Sequence, residues 1–166
     1  MEQPGKKIIT DYLKTQACDT SLTTGTGSNV YLLGDSWLTR MESANPSIQA
    51  SFEESNYVVT GVNSSVGRSI NGGGNDNQSA LEAVEADKEL IRQASVVVIV
   101  LGTNSDNYDR DIPKLLDAIN TIKTVRILWV NTAANSNSDI AESAGKANAA
   151  IAENASPEAY NFEIVD

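Results

Sequence analysis

Apolar positions along this chain change period repeatedly, and each change marks an element. Ile8, Ile9, Tyr12, Leu13 and Ala17 recur at helical spacing, which predicts an amphipathic helix over residues 6–18. Residues 20–28 (TSLTTGTGS) are small and polar and predict a flexible linker. Residues 30–33 (VYLL) predict a short buried strand, after which Trp37, Leu38, Met41 and Ala44 suit one helix face. Pro46 can open a second short helix at its first position, with Ile48 and Phe52 paired at i,i+4. A second strand is predicted over 57–62 and a helix over 79–94, with Leu81, Val84, Leu90 and Ile91 facing inward. Residues 95–101 (SVVVIVL) form the most apolar run and predict a central strand buried on both faces. Ile112, Leu115, Leu116, Ile119 and Ile122 give the cleanest helical stripe, followed by a fourth strand over 125–130. Ile140, Ala144, Ala147 and Ile151 mark a further helix, and residues 162–165 a fifth strand.

Five strands separated by helices predict an α/β fold with a five-stranded parallel sheet and right-handed crossovers. Residues 29–166 form that domain, and residues 1–28 are a helix and linker ahead of it. Ligands of such sheets bind at the carboxyl ends of the strands, so chemistry is sought directly after each strand.

Composition narrows the choice. A chain of 166 residues suits one domain with one sizeable core. Twelve Lys and Arg against 22 Asp and Glu leave a net charge of −10, which argues against a nucleic-acid or anionic-membrane binder. No apolar run approaches the ~20 residues of a membrane span, and the first residues lead into no long apolar stretch of the signal-peptide kind. Cys18 is the single cysteine, so no intrachain disulfide forms, and no histidine exists to pair with its thiol. Asn63, Asn77 and Asn154 each begin an N-x-[ST] triplet, a pattern that is common by chance.

The strand ends carry three polar constellations. The first strand runs into Gly34-Asp35-Ser36 at the start of a helix. There, free N–H groups favour negative charge and a serine can serve as a nucleophile. An N-cap by Asp35 or Ser36 explains the same tripeptide. The second strand leads to Gly67, whose backbone N–H has no side chain in the way of an oxyanion; an ordinary loop glycine is the plain alternative. The central strand ends in Gly102-Thr103-Asn104, where the Asn104 amide can donate to a developing oxyanion, a contribution of about 3–4 kcal/mol in enzymes that use one. An Asn-supported turn accounts for it equally. Asn131 and Thr132 follow the fourth strand and either line the same cleft or cap a helix. Residues 71–75 (NGGGN) predict a mobile loop without chemistry.

Taken in order, Gly34-Asp35-Ser36, Gly67 and Gly102-Thr103-Asn104 resemble the first three blocks of the SGNH (GDSL-type) esterase superfamily over about residues 29–166. The finer pattern of Val66-Gly67-Arg68, Leu101 to Asn104 and Val130-Asn131-Thr132 is similar to extracellular domains of membrane acyltransferases that move O-acetyl groups on cell-wall glycans. The resemblance implies a three-layer flavodoxin-like fold and an ester hydrolase or O-acyltransferase acting on acylated carbohydrate or a small ester. It implies Ser36 as nucleophile, with the Ser36 and Gly67 N–H groups and the Asn104 amide as oxyanion hole. It further implies Asp35 and Asn131 as substrate-contacting residues, no metal or organic cofactor, and an extracellular or cell-surface setting.

The superfamily's last block, D-x-x-H, is absent, and the chain contains no histidine at all. Asp166 resembles the strand-end aspartate of the family, not the triad aspartate. General-base assistance is typically worth ~10²–10⁴-fold, so the chain alone is expected to be a very poor catalyst. The expectation is that a further C-terminal segment or a second chain supplies the histidine, or that the protein is a non-catalytic glycan-binding relative. Hence, too, the expectation that helix 6–18 covers the sheet face that a helix after the last block covers in the family. A flavodoxin-like nucleotide binder is a third possibility by fold alone, but neither a P-loop nor a G-x-G-x-x-G follows the first strand.

Overall fold

The computed structural model describes residues 28–104, 107–132, 138–154 and 160–165. The helix expected over 6–18, the linker over 20–27 and Asp166 lie outside these residues. In chain order the elements are β1 (Asn29–Gly34), α1 (Ser36–Glu42), α2 (Ile48–Glu54), β2 (Val58–Ser64), α3 (Ala80–Ala86) and α4 (Lys88–Gln93). They continue with β3 (Val96–Val100), α5 (Tyr108–Ile122), β4 (Arg126–Val130), α6 (Ser138–Asn154) and β5 (Phe162–Val165).

The five strands form one all-parallel sheet in the order β2-β1-β3-β4-β5. This is the flavodoxin-like order, which reverses direction between β1 and β3 and opens a crevice there. Period-2 alternation divides the strand residues between two faces. Tyr31, Leu33, Val97, Ile99, Ile127 and Trp129 face the core shared with α3 to α6. Val30, Leu32, Val96, Val98, Val100, Leu128 and Val130 face the opposite core, to which α1 and α2 contribute Leu38, Met41, Ile48 and Phe52. The result is a three-layer α/β domain whose central strands are buried on both sides, as their unbroken apolar runs require.

Local chemistry sets the helix boundaries, and three of them depart from the periodicity. The stripe over 79–94 is two helices, broken at Asp87. The Asp87 carboxylate accepts from the Tyr31 hydroxyl at 2.7 Å and the Asn63 amide at 2.8 Å, so the chain is drawn to the sheet at that point. Val84 and Ile91 enter the same core on either side, so the apolar period runs through the break unchanged. Ser79 and Glu82 start α3 with a reciprocal capping box. Pro46 does not open α2. It follows a cis peptide bond and precedes Ser47, and Ser47 is the N-cap, accepting from the Ala50 N–H at 3.1 Å. Helix α5 begins four residues before its apolar stripe, because Asn107 caps it by accepting from the Arg110 N–H.

One irregularity interrupts the sheet towards the amino ends of β1 and β2. The β1–β2 register slips between Val30 and Tyr31, so that Tyr31 pairs with Gly61. Thr60 is the extra residue, and its hydroxyl donates to the Val30 carbonyl at 3.2 Å. Among the described residues, no helix is long and apolar enough to cross a membrane.

Candidate active site

The carboxyl ends of β1, β2 and β3 meet around the switch point, and each predicted residue after them can be placed. Gly34 ends β1 because nothing larger fits. A Cβ there would lie 2.4 Å from Leu38 Cβ and 2.9 Å from the Val100 carbonyl oxygen. The bare backbone lets the first turn of α1 close directly onto β1 and β3, with the Asp35 N–H donating to Val100 at 3.0 Å.

Asp35 is the N-cap of α1. One of its carboxylate oxygens accepts from the Trp37 N–H at 2.9 Å; the other lies 3.0 Å from the Thr103 hydroxyl and 3.4 Å from the Asn104 amide. The resemblance implied substrate contact for Asp35, but with only 1% of its surface exposed it holds two strand ends together from inside the fold. Burial pushes its carboxyl above the ordinary aspartate value, against hydrogen bonds from Trp37, Thr103 and Gly102 that favour the charged form.

Ser36 is the first residue of α1 and is partly exposed. Among the described residues neither its hydroxyl nor its N–H has a hydrogen-bond partner. The unpartnered N–H follows from its position, since the first-turn donors of a helix have no intrahelical acceptor. Cap and nucleophile position are therefore divided between adjacent residues: Asp35 caps, and Ser36 stays open.

Gly67 sits in the turn after β2 with φ +79°, a conformation costly for any residue with a Cβ, and it is exposed. Its N–H also has no partner among the described residues. Asn104 links the two halves. Its amide donates to the Arg68 carbonyl at 3.1 Å and approaches Asp35 at 3.4 Å, so it bridges the residue after Gly67 and the residue before Ser36. The strand end beneath it is fixed by two aromatic side chains: Trp129 Nε1 donates to the Leu101 carbonyl and the Tyr108 hydroxyl to the Gly102 carbonyl, both at 2.9 Å. Asn131 follows β4, its N–H donating to Val165 at 2.9 Å, and is half-buried. The adjacent Thr132 is tied to α6 by a reciprocal pair with the Asn148 amide, both bonds at 3.0 Å.

Two features of the site go beyond the sequence expectations. Arg68 is fully buried. Its guanidinium donates to the Asn63 carbonyl at 3.0 Å and the Gln78 carbonyl at 3.1 Å, reaches toward Gly34 at 3.5 Å, and pairs with Asp76 at 2.6 Å. It clamps the end of β2, the Gly67 turn and the glycine-rich loop into one body. The loop expected to be mobile is held there, its Asn75 N–H donating to the Val66 carbonyl at 2.9 Å. The second feature is a polar stripe on α1. Ser36, Thr39, Arg40 and Ser43, together with Ala44 and Val66, line a cavity of about 380 Å³. Spacing of i, i+3, i+4 and i+7 would have revealed that stripe, but Trp37, Leu38 and Met41 beside it drew the reading to the buried face.

Ser36, Gly67 and Asn104 are thus drawn together, with a cavity opening at Ser36. The cavity wall includes Ser36 from α1 and Val66, the residue before Gly67, from the turn after β2. The chain has no histidine, and among the described residues no histidine, cysteine, aspartate or glutamate cluster could hold a metal ion. No protein-family model matches this chain, and no curated protein matches it by sequence.

Proposed function

We propose that this chain is the serine-bearing part of an SGNH-type ester hydrolase or O-acyltransferase domain acting on acylated carbohydrate. The observation that carries the reading is that Ser36 and the Gly67 N–H have no hydrogen-bond partner among the described residues, while Asn104 joins their neighbours Asp35 and Arg68 across the sheet's switch point. Ser36 Oγ attacks the ester carbonyl carbon; the carbonyl π bond opens and its oxygen becomes the oxyanion. The Ser36 and Gly67 N–H groups stabilise that charge, while the Asn104 amide, engaged with the Arg68 carbonyl and Asp35, ties the two strand ends together. Collapse expels the sugar alkoxide, which takes a proton, and leaves the acyl group on Ser36. Water or an acceptor hydroxyl then removes it.

The Ser36 proton needs an acceptor, and this sequence holds no histidine to take it. In this reading the imidazole comes from residues outside the sequence, on the same or another chain. The same absence favours a second reading, a glycan-binding relative that holds the ester without cleaving it.

Exogenous imidazole can stand in for the missing base. A fluorophosphonate probe is expected to label Ser36 in the presence of imidazole, with labelling lost in Ser36→Ala and mapped to Ser36 by peptide mass spectrometry. Imidazole-dependent labelling that is absent, or equal in Ser36→Ala, removes the nucleophile and the enzyme reading with it.

A further inference from the structure

The cavity beside Ser36 has a charge whose use the acyl-transfer reading does not explain. Its polar wall is one stripe of α1: Ser36, Thr39, Arg40 and Ser43. Two of these four are already satisfied within the fold. The Thr39 hydroxyl lies 3.2 Å from the Asp35 carbonyl and 3.0 Å from the Ser64 hydroxyl, and the Ser43 hydroxyl donates to Thr39 at 2.9 Å. Ser36 and Arg40 remain. They stand one helical turn apart on the same face, so the guanidinium is delivered beside the candidate nucleophile.

Arg40 has no carboxylate partner among the described residues. Instead, its guanidinium carbon sits 5.3 Å from the centroid of the Trp37 ring. That stack restrains the guanidinium and so reduces the freedom lost when it engages a ligand. Ala44 and Val66 supply the apolar remainder of the wall. An exposed guanidinium at the cavity wall, stacked on Trp37, matches a planar oxyanion, because its fork geometry suits two parallel bonds to a carboxylate.

We propose that Arg40 is a specificity-determining residue that binds a carboxylate on the substrate, so that the acylated carbohydrate is a sugar acid. This inference rests on the acyl-transfer reading for the identity of the site, but its test does not depend on turnover. Amide and Arg side-chain resonances of the ¹⁵N-labelled protein are followed during titration with tri-galacturonate and, separately, with its methyl ester, which keeps the shape and removes the charge. The acid is expected to bind about fivefold more tightly than the ester at low salt, the scale of an exposed charge pair. Shifts should centre on Ser36, Arg40 and Val66. Arg40→Gln should remove the difference and Arg40→Lys should keep part of it. Ser36→Ala should retain the preference, which separates the two claims: failure of fluorophosphonate labelling with the preference intact leaves the Arg40 assignment standing. Equal binding of acid and ester, a preference that survives Arg40→Gln, or no shifts with either saccharide would overturn the proposal.

Discussion

Replacing Arg68 by Met should loosen the site more than any exposed substitution around it. Methionine keeps much of the apolar volume of the buried stem, so the change reports mainly on the guanidinium. Two strong bonds to backbone carbonyls are lost, at Asn63 (3.0 Å) and Gln78 (3.1 Å). A hydrogen bond from a charged donor is worth about 1.5–3 kcal/mol, so the pair accounts for about 3 kcal/mol at the lower end. The 3.5 Å approach to Gly34 adds little. The Asp76 side chain is 41% exposed and regains water when Arg68 is removed, so the ion pair adds at most about 1 kcal/mol after solvent screening. A loss of about 3–4 kcal/mol corresponds to a fall of roughly 10 °C in Tm for a domain of this size. Urea unfolding followed by far-ultraviolet circular dichroism measures the free energy directly. Arg68→Lys should lose nearly as much, because one ammonium cannot reach carbonyls set around different edges of the guanidinium. A loss below about 1 kcal/mol for Arg68→Met would refute the clamp.

Gly34→Ala should destabilise by about 1–3 kcal/mol or more, since the added methyl meets Leu38 Cβ at 2.4 Å and the Val100 carbonyl at 2.9 Å; thermal unfolding measures it. Gly67→Ala has open space around the new methyl but a φ of +79°, so it should cost about 1 kcal/mol in urea unfolding. Two aspartates should give opposite pH slopes. Burial opposes ionisation of Asp76, but bonds from the Gln78 N–H, the Ser65 hydroxyl and Arg68 outweigh it and hold the carboxyl below the ordinary value. Its contribution is therefore present above the unfolded pKa and is lost as pH falls through the folded one, so Asp76→Asn should flatten the acid limb of the stability curve below about pH 4. Asp35 is raised by burial, so the fold binds its proton more tightly than the unfolded chain does. Stability then declines as pH rises from about 4 towards its folded pKa, and Asp35→Asn should remove that decline in urea titrations across pH 4–7.

Five strands and their order along the chain were legible because burial on both faces leaves an unbroken apolar run, and the observed β3, Val96–Val100, lies within the longest of them. Strand order in the sheet was not written in that pattern; it follows from how the crossovers pack, and periodicity carries no record of which strands are neighbours. The break at Asp87 was invisible because a hydrogen bond from Tyr31, 56 residues away, causes it. The cap at Asp35 and the turn at Gly67 were legible as local chemistry. Arg68 was not, because an arginine reads as surface until the carbonyls it serves are brought around it. The same holds for the Asn104 amide, whose acceptors come from two other strand ends.

The division of labour between Asp35 and Ser36 bears on what a site without its base can still do. In the observed geometry the candidate donors are positioned by groups of this chain alone: Asp35 caps α1, Arg68 clamps the loop that follows β2, and Asn104 spans the gap between them. Under the proposed function, oxyanion stabilisation would be built independently of proton transfer. Enzymes stripped of their triad keep roughly 10³–10⁴-fold over the uncatalysed reaction through such donors and through binding alone. Ester binding should accordingly be intact in this chain while turnover is not, and supplying a base should raise the rate of Ser36 acylation without tightening the ester's Kd. A base that improved binding and acylation equally would mean that the donors are not preorganised, and that Asp35, Arg68 and Asn104 serve the fold alone.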